Sequence, residues 1–228
     1  MESSVFALIF AALVLGFRHG FDLDHLATID AITRTVTDTR YLARMTGILF
    51  SFGHGLVVTS VSLIIGSGVL HSQLPGWLDS LGCWISIFFL FTFGFITLWS
   101  VLQQSTTPAL MSLKGLLIRR VISQRCNPVI VIMIGALFAF SFDTFSQIAL
   151  FSISASILAG WKFSGVLGIV FMLGMMTSDG INGLFVSALI QRADKTSLFI
   201  SRLTGFIISV FSLLIGTVNL INLGWFYA

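Results

Sequence analysis

The sequence predicts an all-α integral membrane protein of about six transmembrane helices, and three observations carry that prediction. Of its 228 residues, 56% are hydrophobic and only 9% charged, with 23 Phe and 21 Gly. An ordinary soluble domain carries about 25% charged residues and uses them to cover its core. The apolar residues gather into six runs, near 5–33, 46–70, 77–101, 128–158, 164–190 and 203–224. Each is long enough for roughly 30 Å of hydrocarbon at about 20 residues per crossing. Apart from Arg18, the bases lie at the ends of those runs or between them.

The placement of the bases gives the topology. Arg34, Arg40 and Arg44 follow the first run, Lys114, Arg119, Arg120 and Arg125 the third, and Arg192, Lys195 and Arg202 the fifth. The second connection holds only His71 and the fourth only Lys162. Basic loops stay in the cytoplasm, so this alternation predicts both termini on the extracytoplasmic side of the cell membrane. The whole chain, 1–228, then reads as a single polytopic membrane domain. The connection 102–127 forms its cytoplasmic basic loop, either an amphipathic segment on the membrane surface or a plain linker with anchoring bases.

The six runs divide into two sets of three that enter the membrane from opposite sides, the pattern of two inverted three-helix repeats. Polar interruptions occupy corresponding places: GFDLDH in the first run and SFDTFSQ in the fourth, SFGHG in the second and MMTSDGING in the fifth. A net charge of +3 and a pI near 9.2 might suggest nucleic acid, yet no basic stripe interleaves with aromatics. The chain opens with Glu2 and carries no small-x-small site after its first apolar stretch, so a cleaved signal peptide is not expected. Cys83 and Cys126 fall near opposite membrane faces and predict neither a disulfide nor a thiolate metal site.

Function is sought where ionisable groups sit inside hydrocarbon, because each costs roughly 2.5–3.5 kcal/mol at mid-span and needs a partner or a task. Arg18-His19-Gly20-Phe21-Asp22-Leu23-Asp24-His25 places five such groups in eight positions. On a regular helix His19, Asp22 and His25 follow at i+3 steps and line one face, so two imidazoles and a carboxylate converge on one cation. Asp24 either supports a histidine from behind or binds metal itself if Gly20 lets the helix unwind. His54, Asp143 and Asp179 sit at polar interruptions of later runs, where other helices can meet the first. His54 alone also reads as an interhelical hydrogen-bonding group, and Asp143 and Asp179 as partners of Arg18 or as proton carriers. Asp30 and Arg34 read as a local i,i+4 ion pair, and Met172, Met175 and Met176 as packing. Nitrogen and carboxylate donors without a nearby thiolate favour a borderline divalent ion such as nickel or cobalt over copper(I), and the same donors also suit zinc and iron(II).

The stretch LGFRHGFDLDHLATIDAITR, with His19, Asp24 and His25 in a His-x4-Asp-His pattern, resembles the signature helix of the nickel/cobalt transporter family (NiCoT). FSFGHGLVV, FSFDTFSQ and GMMTSDG are similar to that family's later segments and place His54, Asp143 and Asp179 at its characteristic positions. The resemblance implies a secondary permease, not an enzyme, that translocates Ni²⁺ or Co²⁺ across the cytoplasmic membrane, most simply inward. It also implies that His19, Asp24 and His25 are essential. No prosthetic group is implied; the divalent ion is the substrate. The expected metal ligands are His19, Asp22, Asp24, His25 and His54, with Arg18, Asp143, Gln147 and Asp179 along the pathway. Two departures stand out: the family's longer members have about eight spans, and Gln147 stands where the fourth-run segment usually ends in Glu. The competing readings are an intramembrane metalloenzyme and an accessory subunit that binds metal without moving it.

Overall fold

The computed structural model describes residues 2–36, 39–68, 76–103, 127–140, 145–155, 160–191 and 195–226. All eight elements among them are α-helices: α1 Glu2–His19, α2 Leu23–Thr35, α3 Arg40–Gly66, α4 Gly76–Gln103, α5 Pro128–Phe138, α6 Phe145–Ala155, α7 Gly160–Gln191 and α8 Lys195–Phe226. Three stretches are long and apolar enough to cross a membrane alone: α3, α7 and Phe199–Ile221 of α8. The pair formed by α1 and α2 passes the same test as one broken span. Their outer faces are apolar, with Phe6, Phe10, Val14 and Phe17 exposed on α1 and Phe88, Phe95 and Trp99 on α4. In water such a surface would be a liability; in lipid it is the matching solvent. The loop residues 104–126 and Cys126, with His71, lie outside the described residues, as does the side chain of Cys83.

The first apolar run is not one helix, and this corrects the expectation that His19, Asp22 and His25 share a continuous helical face. α1 ends at His19, the chain turns through Gly20–Asp22, and α2 departs at 55°. The turn is tightened by Phe21 N–H donating to the Arg18 carbonyl at 3.0 Å and Asp22 N–H to that of His19 at 2.9 Å. Gly20 permits it because a Cβ there would run into Ser178 and Asp179 of α7. Asp22, extended at φ −64° and ψ 143°, then starts α2, and Asp24 accepts the His25 N–H at 2.9 Å in its first turn. The fourth run is likewise carried by two helices, α5 and α6. Asn127 caps α5 by accepting the Ile130 N–H at 3.0 Å, with Pro128 just inside.

The centre of the molecule is the crossing of α3 and α7, with α1 laid on α7, α5 on α3, and α4 paired with α8. Glycines set these distances. Gly16 of α1 faces the Phe171 carbonyl while Gly174 of α7 faces that of Leu13; Gly135 of α5 faces the Phe50 carbonyl while Gly53 of α3 faces that of Ile132. Each side offers a glycine to the other's backbone, the close approach by which helices associate in lipid. Gly47 against the Asp179 carbonyl and Gly168 against Thr59 do the same for α3 and α7. Two apolar clusters fill the remaining space, one around Ile29, Phe50, Val131 and Phe138, the other around Leu150, Leu167, Phe171 and Met175. Met175 is therefore packing, as its place in the sequence suggested.

Candidate metal centre

Between those two clusters three imidazoles meet. His19 ends α1, His25 lies in the first turn of α2, and His54 sits midway along α3. The break at Gly20 brings the first two together with ring centroids 4.5 Å apart, and His54 lies 5.1 Å from His19 and 4.8 Å from His25. All three are buried, and one nitrogen from each lies within 4.8 Å of the others. Phe50 and Phe138 stand edge-on to His25, and Phe171 lies against His19. Among the described residues, aromatic rings thus wall the three imidazoles.

Carboxylates behind the rings decide which nitrogens face inward. His19 Nδ1 donates to Asp22 Oδ2 at 3.0 Å, and His25 Nδ1 to Asp179 Oδ2 at 2.8 Å. A carboxylate only accepts, so each Nδ1 carries its proton and the Nε2 of each ring is turned toward the centre. His25 Nε2 has no hydrogen-bond partner among the described residues. His19 Nε2 lies 3.2 Å from His54 Nε2, and Gln147 Nε2 lies 2.9 Å from that same nitrogen. Such carboxylate-backed imidazoles are how proteins present neutral nitrogen ligands to a transition metal.

Asp179 is itself met by Ser51, whose hydroxyl lies 2.5 Å from Asp179 Oδ2 and 2.8 Å from the Gly47 carbonyl, two acceptors that share its one hydrogen. Ser51 was not singled out in the sequence, although it stands one helical turn before His54 on the same face. The expected residues otherwise divide clearly. His19, His25 and His54 come together, Asp22 and Asp179 stand behind them, and Gln147 touches His54. Asp22 therefore supports His19 from behind instead of sharing its open face, because the break turns that face away. Asp24 lies in the first turn of α2 and accepts the His25 N–H. Arg18 donates to Ser146 at 2.8 Å, tying the end of α1 to the start of α6, and Asp143 lies outside the described residues. The Asp30–Arg34 pair forms at 2.7 Å, and Arg34 also donates to the Ser201 carbonyl of α8 at 2.9 Å.

A family model described as high-affinity nickel-transport protein, NicO, matches residues 5–224. The chain belongs to the NicO family. NicO is a nickel-transport family and not an enzyme class. Among curated relatives, the chain is similar to the hydrogenase nickel incorporation protein HupN of Bradyrhizobium diazoefficiens, 30% identical over 67% of this chain and 46% of that one. It is similar to the nickel transporter NixA of Staphylococcus aureus, 30% identical over 78% of this chain and 60% of that one. A shorter match, 40% identical over 25% of this chain and 16% of the relative, is to the cobalt transport protein NhlF of Rhodococcus rhodochrous. The chain thus spans about half the length of the first NicO relatives it matches. No solved structure matches it.

Proposed function

We propose that the protein is a permease that carries Ni²⁺, and with it Co²⁺, inward across the cytoplasmic membrane through the site formed by His19, His25 and His54. The observation that carries this reading is the trio of buried imidazoles backed by Asp22 and Asp179. Three neutral nitrogen donors suit nickel and cobalt and offer nothing soft enough to select copper(I). The names of the NixA and NhlF relatives support the two ions. Inward transfer of a divalent ion through 100 mV yields roughly 4.6 kcal/mol, enough for more than a thousandfold concentration ratio without ATP.

The scaffold is read as six spans in two inverted three-helix repeats, α1 to α4 and α5 to α8, with both termini outside. The reciprocal glycine contacts support it: the crossing of α1 on α7 repeats as that of α5 on α3, with Leu13 and Gly16 in the places of Ile132 and Gly135, and Phe50 and Gly53 in those of Phe171 and Gly174. Carried along the chain without a gap, the correspondence that pairs Gly16 with Gly135 also pairs Asp24 with Asp143. Sites at the junction of two broken spans are where alternating access places a transported ion.

The test is ion uptake into proteoliposomes held at an inside-negative potential, comparing wild type with His19→Ala and His25→Ala under graded Ni²⁺, Co²⁺, Zn²⁺ and Mn²⁺. Nickel and cobalt influx lost in both variants supports the permease. The name of the HupN relative favours a second reading, an accessory protein that binds nickel without moving it. Saturable binding without flux would select that reading.

A further inference from the structure

Gln147 touches the centre in a way that three histidines and a metal do not explain. It is fully buried in the first turn of α6, and its Nε2 lies 2.9 Å from His54 Nε2. That nitrogen also faces His19 Nε2 at 3.2 Å. Asp22 already fixes the His19 proton on Nδ1, so His19 Nε2 offers a lone pair and not a hydrogen. His54 Nε2 can serve only one of these neighbours at a time: with a hydrogen it donates to His19, and with a lone pair it accepts from the Gln147 amide and opposes the His19 lone pair, an opposition that a cation between the rings removes.

We infer that Gln147 is a switching ligand that sets how readily the ion is released. Without metal its amide N–H occupies the lone pair of His54. With metal that lone pair turns to the ion, and a half-turn about the terminal side-chain torsion brings Gln147 Oε1 to the place its Nε2 held. Such sp³–sp² torsions are broad and nearly two-fold, so the exchange requires no backbone movement. The ion then has three nitrogens and one neutral oxygen. The amide adds no charge, so the negative charge about the site comes from Asp22 and Asp179 behind their rings. A carboxylate at 147 would place a full negative charge against the ion and slow its departure.

This inference rests on the three-histidine site. Its test uses the purified full chain, measuring Ni²⁺ binding and release together with the visible absorption of bound Co²⁺, which responds to the ligand set. Gln147→Leu is expected to bind Ni²⁺ about 10–100-fold more weakly and to shift the Co²⁺ bands. Gln147→Glu is expected to bind at least about tenfold more tightly and to release more slowly. Wild-type affinity and an unchanged Co²⁺ spectrum in Gln147→Leu, or wild-type release from Gln147→Glu, would overturn it. If Gln147→Leu does not fold, Gln147→Glu decides alone. His19→Ala and His54→Ala separate the two levels. If they bind Ni²⁺ like wild type, the site itself is wrong; if they lose it while both Gln147 variants behave as wild type, only the role of Gln147 fails.

Discussion

The helix pairs α1–α2 and α5–α6 are anchored alike and armed differently. α1 lies on α7 and α5 on α3 through the same exchange of glycines and carbonyls, yet the first pair delivers His19 and His25 to the centre and the second delivers Gln147. The first pair's donors are backed by carboxylates, while the second brings an amide and, at Ser146, a hydroxyl that holds Arg18. The comparison teaches that helix contacts and chemistry are separable here. Backbone contacts fix where the breaks lie, and a few side chains at each break decide what the place can bind.

The sharpest way to break that comparison is to remove chemistry from the centre. His25→Ala is expected to weaken Ni²⁺ binding by more than about 100-fold, beyond the usual effect of losing an outer partner, and to lower the melting temperature as well, because it leaves Asp179 buried without its imidazole. Equilibrium dialysis against Ni²⁺ alongside a thermal melt in detergent checks both halves. Asp179→Asn keeps the shape but lets the amide present either a donor or an acceptor to His25. It is expected to cost about 10–100-fold in affinity, read by the same dialysis. A loss no larger than that of a distant surface substitution would remove Asp179 from the site.

The complementary perturbation changes scaffold and leaves chemistry alone. Gly16→Ala and Gly135→Ala each push a methyl group into a carbonyl on the facing helix and should destabilise by about 1–3 kcal/mol each, as overpacking does. Parallel detergent melts of the two variants test whether the crossings are equivalent, and a large effect from one alone would deny the correspondence. The smallest effect is expected at Ser62, whose hydroxyl meets Ser154 at 2.6 Å and the Ser164 carbonyl at 3.1 Å, joining α3, α6 and α7 away from the histidines. Ser62→Ala should cost about 0.6 kcal/mol and leave Ni²⁺ affinity unchanged.

Much of this was legible in the sequence because lipid is an undiscriminating solvent. The long apolar runs announce helices without fine periodicity, and the density of charge from Arg18 to His25 marks the place where the first two imidazoles meet. His54 and Asp179 could be named from lone polar residues between glycines. What the sequence did not disclose was the direction in which each group points. A continuous helix would aim Asp22 with His19 and His25; the break reverses that, at a glycine packed so closely on Ser178 and Asp179, more than 150 residues away in the chain, that a Cβ would meet them. Ser51 escaped notice for the same reason, since a serine in an apolar helix usually bonds its own preceding turn. Here it does that and reaches Asp179 as well.

The glycine contacts also govern mechanics. Where backbone meets backbone there is no layer of side chains to compress or to slide across, so α1, α7, α3 and α5 are joined edge to edge as one stiff plank. A hydrated ion cannot wedge such a plank apart. The shorter helices α2 and α6 meet it instead through apolar side chains, Ile29 and Ile32 in one cluster and Leu150 and Phe151 in the other, so any give around the three histidines lies in layers of side chains and not in the backbone crossings.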